Sequence, residues 1–254
     1  MLIDKEKCIR CGQCIPYCPM GCISKTDDGV AINTDECVEC EICRNAKVCP
    51  RDALYMPKLE YPRTLRSQFS NPLIPHPDTG VPGRGTEEMK TNDVTGRFPR
   101  GKAGIAIELG RPGTGTRLRD VQTIAMAVAP YAKYGFEPHN PVTVLMLDGS
   151  GKLRDEVLNE KTLSAIVELE VDQTDVLPVF NALRDAQKDI STVLILPADL
   201  SRMKAVPLQL LQKKLVISSP LMEKRMLVSE NPAIRRIDYV TYITSLRHRR
   251  KPKG

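Results

Sequence analysis

A chain of 254 residues with 41% hydrophobic, 27% charged and 4% aromatic side chains, no Trp and a net charge of +6 has the composition of an aliphatic-cored globular protein, one large domain or two modest ones. No apolar run approaches the roughly 18 residues of a membrane span, and the opening MLIDKEKCIRC lacks the apolar core and small-residue cleavage site of a signal peptide, so a cytoplasmic protein without a membrane span is expected. All nine Cys lie between Cys8 and Cys49, which excludes a disulfide framework stapling the whole fold and favours metal ligation in a reducing compartment.

Residues 8–19 read CxxCxxCxxxCP, with Cys8, Cys11, Cys14, Cys18 and Pro19, and residues 37–50 read CxxCxxCxxxxxCP, with Cys37, Cys40, Cys43, Cys49 and Pro50. These are two copies of one unit: Ile3 falls on Ile32, and the three leading cysteines match at a constant offset of 29 residues. Three thiolates two residues apart on a tight turn reach three corners of a small cube, and the fourth corner must be supplied from elsewhere. The proline after the fourth cysteine turns the chain away from a continued helix. The pattern resembles the bacterial ferredoxins that carry two 4Fe–4S clusters. The resemblance covers residues 1–57 and implies that Cys8, Cys11, Cys14 and Cys49 hold one cluster while Cys37, Cys40, Cys43 and Cys18 hold the other. A pair of zinc sites is the alternative, although zinc needs neither a third CxxC cysteine nor a Cys-Pro.

Cys22 makes a fifth cysteine in the first copy. With the two-residue insertion of the second copy placed before Cys49, Cys22 falls on Ala53, so a small buried filler is expected, with spare ligand and redox sensor as alternatives. The longer loop RNAKV (44–48) is expected to be solvated, with Arg44 and Lys47 as candidate partner contacts.

Residues 57–101 hold seven Pro and five Gly, a density that precludes long helices or central strands. Leu59, Tyr61, Leu65, Phe69, Leu73, Ile74, Val81, Met89 and Phe98 are too many apolar residues for a solvated spacer. The segment 58–101 is therefore read as an extended arm that lies over its own domains or over a partner.

Regular patterns return in residues 102–199. Alternation predicts strands over 103–109, 141–149, 163–171 and 191–199, and helical spacing predicts helices over 118–135 and 174–189, with Pro130 kinking or ending the first. The order βαββαβ predicts a ferredoxin-like α+β sandwich, a name for the topology and not for the clusters. Two features of this unit bear on function. The loop GRPGTGTRLRD (110–120) is a candidate anion loop through Arg111, Gly113, Gly115 and Arg117 at a helix N-terminus, against a plain tight loop, and Leu118 stands where a dinucleotide fingerprint needs glycine. The open face of the sheet is expected to show Glu108, Ser164, Ile166, Glu168 and Glu170, which disfavours nucleic acid. The C-terminal extension 200–254 is basic: from Asp199 onward there are 13 Lys or Arg against 4 Asp or Glu.

No catalytic constellation is present, since the three His lie in an arm, a turn and a tail and no Ser has an identifiable base. Two clusters, each accepting one electron, make a short wire to a two-electron site. The reading is an electron-transfer subunit of an oxidoreductase complex, hetero-oligomeric with a catalytic, flavin-containing partner. A redox- or ligand-sensing regulator and an independent soluble ferredoxin are the alternatives.

Overall fold

The structure, a computed structural model, describes residues 1–83, 101–111, 113–195, 198–199 and 216–217. The expectations for residues 84–100, among them Met89 and Phe98, and for most of the extension 200–254 lie outside the described residues.

The N-terminal part is built twice over, as its sequence is. Strand β1 (Leu2–Ile3) and the later β4 (Leu54–Tyr55) pair antiparallel, and between them β2 (Ile23–Thr26) pairs with β3 (Gly29–Ile32). Ile3 faces Leu54 in one ladder and Ile32 faces Ile23 in the other, the same two repeat positions each time. A single-turn helix, α1 (Ile42–Asn45), carries Cys43.

The arm contains a helix, α2 (Thr64–Ser70), short enough to fit between its flanking prolines. Its apolar side, Leu65 and Phe69, belongs to the core of the C-terminal part. The arm residues Leu73 and Ile74 are exposed. The extended reading is thus corrected for residues 64–70: the arm pays for its own order by burying two anchors in its own chain.

The C-terminal part is centred on β5 (Lys102–Leu109), which pairs along its full length with β8 (Ala165–Asp172). A short ladder joins β6 (Thr116–Arg117) to β7 (Lys161–Thr162). Along the other edge of β5 run β9 (Leu194–Ile195) and β10 (Ala198–Asp199) in one register, and β11 (Val216–Ile217) pairs with β9. Ile105, Ile107, Leu109, Val167, Leu169 and Val171 alternate onto one face, where α3 (Leu118–Val128) and α5 (Val176–Ala186) cover them. A 3-10 turn at Ala129–Tyr131 ends α3 at Pro130.

The second expected strand is absent. Residues 141–144 form the helical turn α4 (Pro141–Val144), because Asn140 caps it through Oδ1, 2.8 Å from the Val142 N–H, and Pro141 occupies the first helical position. Local capping outweighs the alternation of PVTVLMLDG. The edge of β8 is met instead by a single bridge from Phe136 to Leu169. The other face of the sheet is not open either: Glu108, Ser164, Ile166 and Glu168 are buried and Glu170 is half-buried. The chain around Asn140 crosses there, with Asn140 Nδ2 donating to Glu168 Oε2 at 2.7 Å and to the Ile166 carbonyl at 3.1 Å.

Candidate metal centre

The two cysteine runs are presented by matching turns. Asp4 Oδ1 accepts from the N–H of Glu6 at 3.0 Å and of Lys7 at 3.3 Å, and Asn33 Oδ1 accepts from Asp35 at 3.1 Å and Glu36 at 3.3 Å. These Asx turns lead to Cys8 and Cys37, whose N–H groups bond the carbonyls of Asp4 and Asn33. Within the runs, Arg10 and Gly12 have positive φ, and so do Glu39 and Glu41 at the equivalent positions. Such alternation turns successive backbone N–H groups toward one side, a concavity suited to an anion and known from iron–sulfur sites.

The runs exchange their fourth cysteines. One pocket is lined by Cys8, Cys11, Cys14 and Cys49, and a second by Cys18, Cys37, Cys40 and Cys43 together with Cys22. Among the described residues no three His, Cys, Asp or Glu side chains converge as a single metal ion would require. Each set of four cysteines lines one pocket, as a group shared by four thiolates requires. Each crossed cysteine accepts a backbone N–H from the residue four positions on: Cys22 to Cys18 Sγ at 3.4 Å, Ala53 to Cys49 Sγ at 3.2 Å. Hydrogen bonds to sulfur stabilise the thiolate and tune a cluster it holds. The donor set thus fits 4Fe–4S clusters.

Cys22 Sγ also lies 3.2 Å from Cys18 Sγ. Hydrogen bonding by Cys22 draws the Cys18 thiol down to about 5 and the Cys37 thiol down to about 7, and the same bonds push Cys22 up. Burial pushes Cys40 up to about 11 and Cys43 up to about 12. The thiolate is the ligating form, so iron binding at the second run must displace protons from buried sulfurs.

The two ends differ in cover. In the first run Ile9, Arg10 and Cys11 are exposed, whereas Val38, Glu39 and Cys40 at the equivalent positions of the second are buried. Four side-chain cations from outside the repeat, and the Met1 ammonium, close over the second run. Arg63 donates from Nε to Glu39 Oε1 at 3.0 Å, and the Met1 ammonium pairs with Oε2 of the same side chain. Burial alone would raise the Glu39 carboxyl, but these bonds overcome it and hold the group below its usual range. Arg117 reaches Asp35 at 2.6 Å and Glu36 at 2.8 Å, Lys161 pairs with Glu36, and Arg66 binds the carbonyls of the turn. Arg44, a candidate partner contact, pairs locally with Glu41 at 2.7 Å.

The candidate anion loop is corrected by the same contacts. Arg117 is taken by two carboxylates, Arg111 lies 3.5 Å from Glu108, and the first N–H groups of α3, Leu118 and Arg119, donate at 3.0 Å to the carbonyls of Glu160 and Leu158. The first two N–H groups of that helix are thus bound within the chain. Gly113 and Gly115 pack toward the cysteine run instead: a Cβ on Gly115 would meet Met20 Cε at 2.5 Å, and one on Gly113 would lie 3.6 Å from the Pro19 carbonyl. Sequence reasoning missed Glu39, Arg63 and Arg66. Charges next to a cysteine run look like solvated loop residues until the partner 24 or more positions away is placed.

Comparison with known proteins concerns the N-terminal part. A 4Fe-4S binding domain family matches residues 1–24. Pyruvate synthase subunit PorD of Methanothermobacter marburgensis is 46% identical over 54 residues, covering 21% of this chain and 60% of that protein. The ferredoxin-like protein in the vnf region of Azotobacter vinelandii is 42% identical over 60 residues, 22% of this chain and 92% of that protein. Polyferredoxin protein MvhB of Methanothermus fervidus is 36% identical over 58 residues, 21% of this chain and 12% of that protein. The chain therefore spans less than two thirds of the pyruvate synthase subunit it matches. No solved structure matches the chain, and among the described residues no helix is long and apolar enough to cross a membrane.

Proposed function

We propose, from the premise that the chain belongs through its N-terminal part to the 4Fe–4S ferredoxin family, that it carries two clusters and serves as the electron-transfer subunit of an oxidoreductase complex. Cys8, Cys11, Cys14 and Cys49 hold the first cluster, and Cys37, Cys40, Cys43 and Cys18 the second. The observation that carries this reading is the crossed pairing of pockets, each lined by three cysteines of one run and the fourth of the other.

A 4Fe–4S cluster takes up and releases one electron at a time. The work of this chain is to hold, orient and shield. The Asx turns at Asp4 and Asn33 set the entry of each run, the N–H groups of Cys22 and Ala53 stabilise the crossed thiolates, and Arg63, Arg66 and Arg117 close over the second run. A one-electron wire of two sites suits a partner that handles electrons in pairs, and a flavin-containing catalytic subunit is the partner we assign. Two relatives, named as a pyruvate synthase subunit and a polyferredoxin, support a place in a larger assembly.

Anaerobic purification of the native protein tests the reading in two parts. Iron and inorganic sulfide should each approach about eight per chain, and a flavin-containing subunit should co-purify stoichiometrically. About four irons would reject the second cluster, bound zinc without sulfide would reject both, and a stoichiometric partner lacking flavin would reject the partner assignment alone.

A further inference from the structure

Arg66, only 3% exposed, joins the second cysteine run to the C-terminal part. Its Nη1 donates to the carbonyls of Asp35 at 2.7 Å and Cys37 at 2.8 Å, with Thr34 at 3.3 Å, while its Nε donates to Glu160 Oε2 at 2.5 Å. The guanidinium therefore stands between a carboxylate of one part and the carbonyl of a cysteine that opens the second run. Three backbone oxygens and one carboxylate on a rigid planar fork fix its position, which a flexible ammonium would not do. At the positions equivalent to the buried Val38, Glu39 and Cys40, the first run is open, with Ile9, Arg10 and Cys11 exposed. The neighbouring charges are paired: Arg63 with Glu39, Arg117 with Asp35 and Glu36, and Lys161 with Glu36.

Reduction adds one negative charge to a cluster. Positive charge and hydrogen bonding held close to the cysteine loop stabilise that form, and burial keeps the interaction from being screened. We propose that Arg66 is a positioning residue that makes the second cluster the easier of the two to reduce, so that electrons arriving at the exposed first cluster come to rest beside the C-terminal part. The transfer is one electron: the first cluster, charged by a low-potential one-electron donor, is oxidised by one as the second is reduced by one, with no bond made or broken. This rests on the two-cluster reading above.

The test is a redox titration of the full-length, anaerobically purified protein followed by electron paramagnetic resonance, with Cys40→Ser used to mark the second cluster's signal. In Arg66→Met the second cluster should become at least tenfold harder to reduce, a shift of ~59 mV for one electron, while the first stays where it was and the iron count is retained. Arg66→Lys should fall between Met and the parent. Should Arg66→Met lose the second cluster, Glu160→Gln decides, since it keeps the guanidinium and removes its counter-charge: the second cluster should then become easier to reduce. Unmoved potentials in iron-replete variants, or equal shifts of both clusters, would overturn the proposal. A parent chain with about four irons would instead overturn the two-cluster reading beneath it.

Discussion

Cys22 and Cys18 are joined twice, sulfur to sulfur at 3.2 Å and backbone N–H to sulfur at 3.4 Å. Only the second link is repeated in the other copy, where Ala53 offers its N–H to Cys49 with no sulfur at all. The backbone link is thus the part a crossed ligand needs. Cys22→Ala should leave iron and sulfide unchanged, because alanine keeps the N–H and fills most of the buried space. Iron analysis of the anaerobic variant checks this, and loss of about half the iron would make Cys22 a ligand.

Phe69 is 1% exposed, meets His76 edge-on with ring centroids 5.4 Å apart, and lies in the core formed by α3, α5 and the sheet. Phe69→Ala should therefore cost the chain about 3–5 kcal/mol, the usual range for emptying a buried aromatic site. Leu73, 70% exposed on the same arm, should tolerate Leu73→Ser within about 0.5 kcal/mol. Thermal unfolding at one scan rate compares them. Equal, small effects would return Phe69 to the role of a surface anchor for a partner.

The contrast between these residues shows what could be read before folding. Cysteine spacing is dictated by local ligand geometry, so the runs and the alignment of Cys22 with Ala53 were legible from sequence. Helical spacing in 118–128 and 176–186 and alternation in 102–109 and 165–172 were legible for the same reason: one face of each is buried. PVTVLMLDG misled because a cap at Asn140 and Pro141 decides its start, and alternation counts carry no caps. Leu65 and Phe69 gave no direction, since an apolar residue in a Pro-rich arm does not say whose core it enters. The Arg66, Arg117 and Lys161 contacts were illegible because each joins segments about 29 to 125 positions apart, a relation that only the fold creates.

The pair of Glu36 and Lys161 is asymmetric. Lys161 is 7% exposed and its ammonium pairs with Glu36, whereas Glu36 is also held by Arg117 at 2.8 Å. Removing the anion strands a buried cation; removing that cation leaves the anion with a second partner and water. Glu36→Ala should then cost about 1–3 kcal/mol, and Lys161→Met less than about 1 kcal/mol. Denaturant midpoints of the two anaerobic variants give the comparison. A larger loss in Lys161→Met would contradict the ordering.

Asp120 sits in the first turn of α3, 5% exposed, and accepts from Ser191 Oγ at 2.9 Å. Burial raises its carboxyl above the ordinary 3.8, and the bonds from Ser191 and the charges of Arg119 and Arg117 offset that only in part. The sign follows from linkage: the folded chain holds the Asp120 proton more tightly than the unfolded chain, so this group's contribution to stability is full at pH values below 3.8 and declines as pH rises through the raised folded value. Asn cannot ionise and keeps an oxygen for Ser191. The advantage of Asp120→Asn over the parent should therefore be larger at pH 7.5 than at pH 4, close to the ordinary value, because the parent's carboxylate charges in its buried site as pH rises. Thermal midpoints of both proteins, taken at the two pH values in the same salt and without oxygen, measure that difference directly. A gap that stays constant or shrinks would mean that Ser191 and the two arginines, not burial, govern this carboxylate.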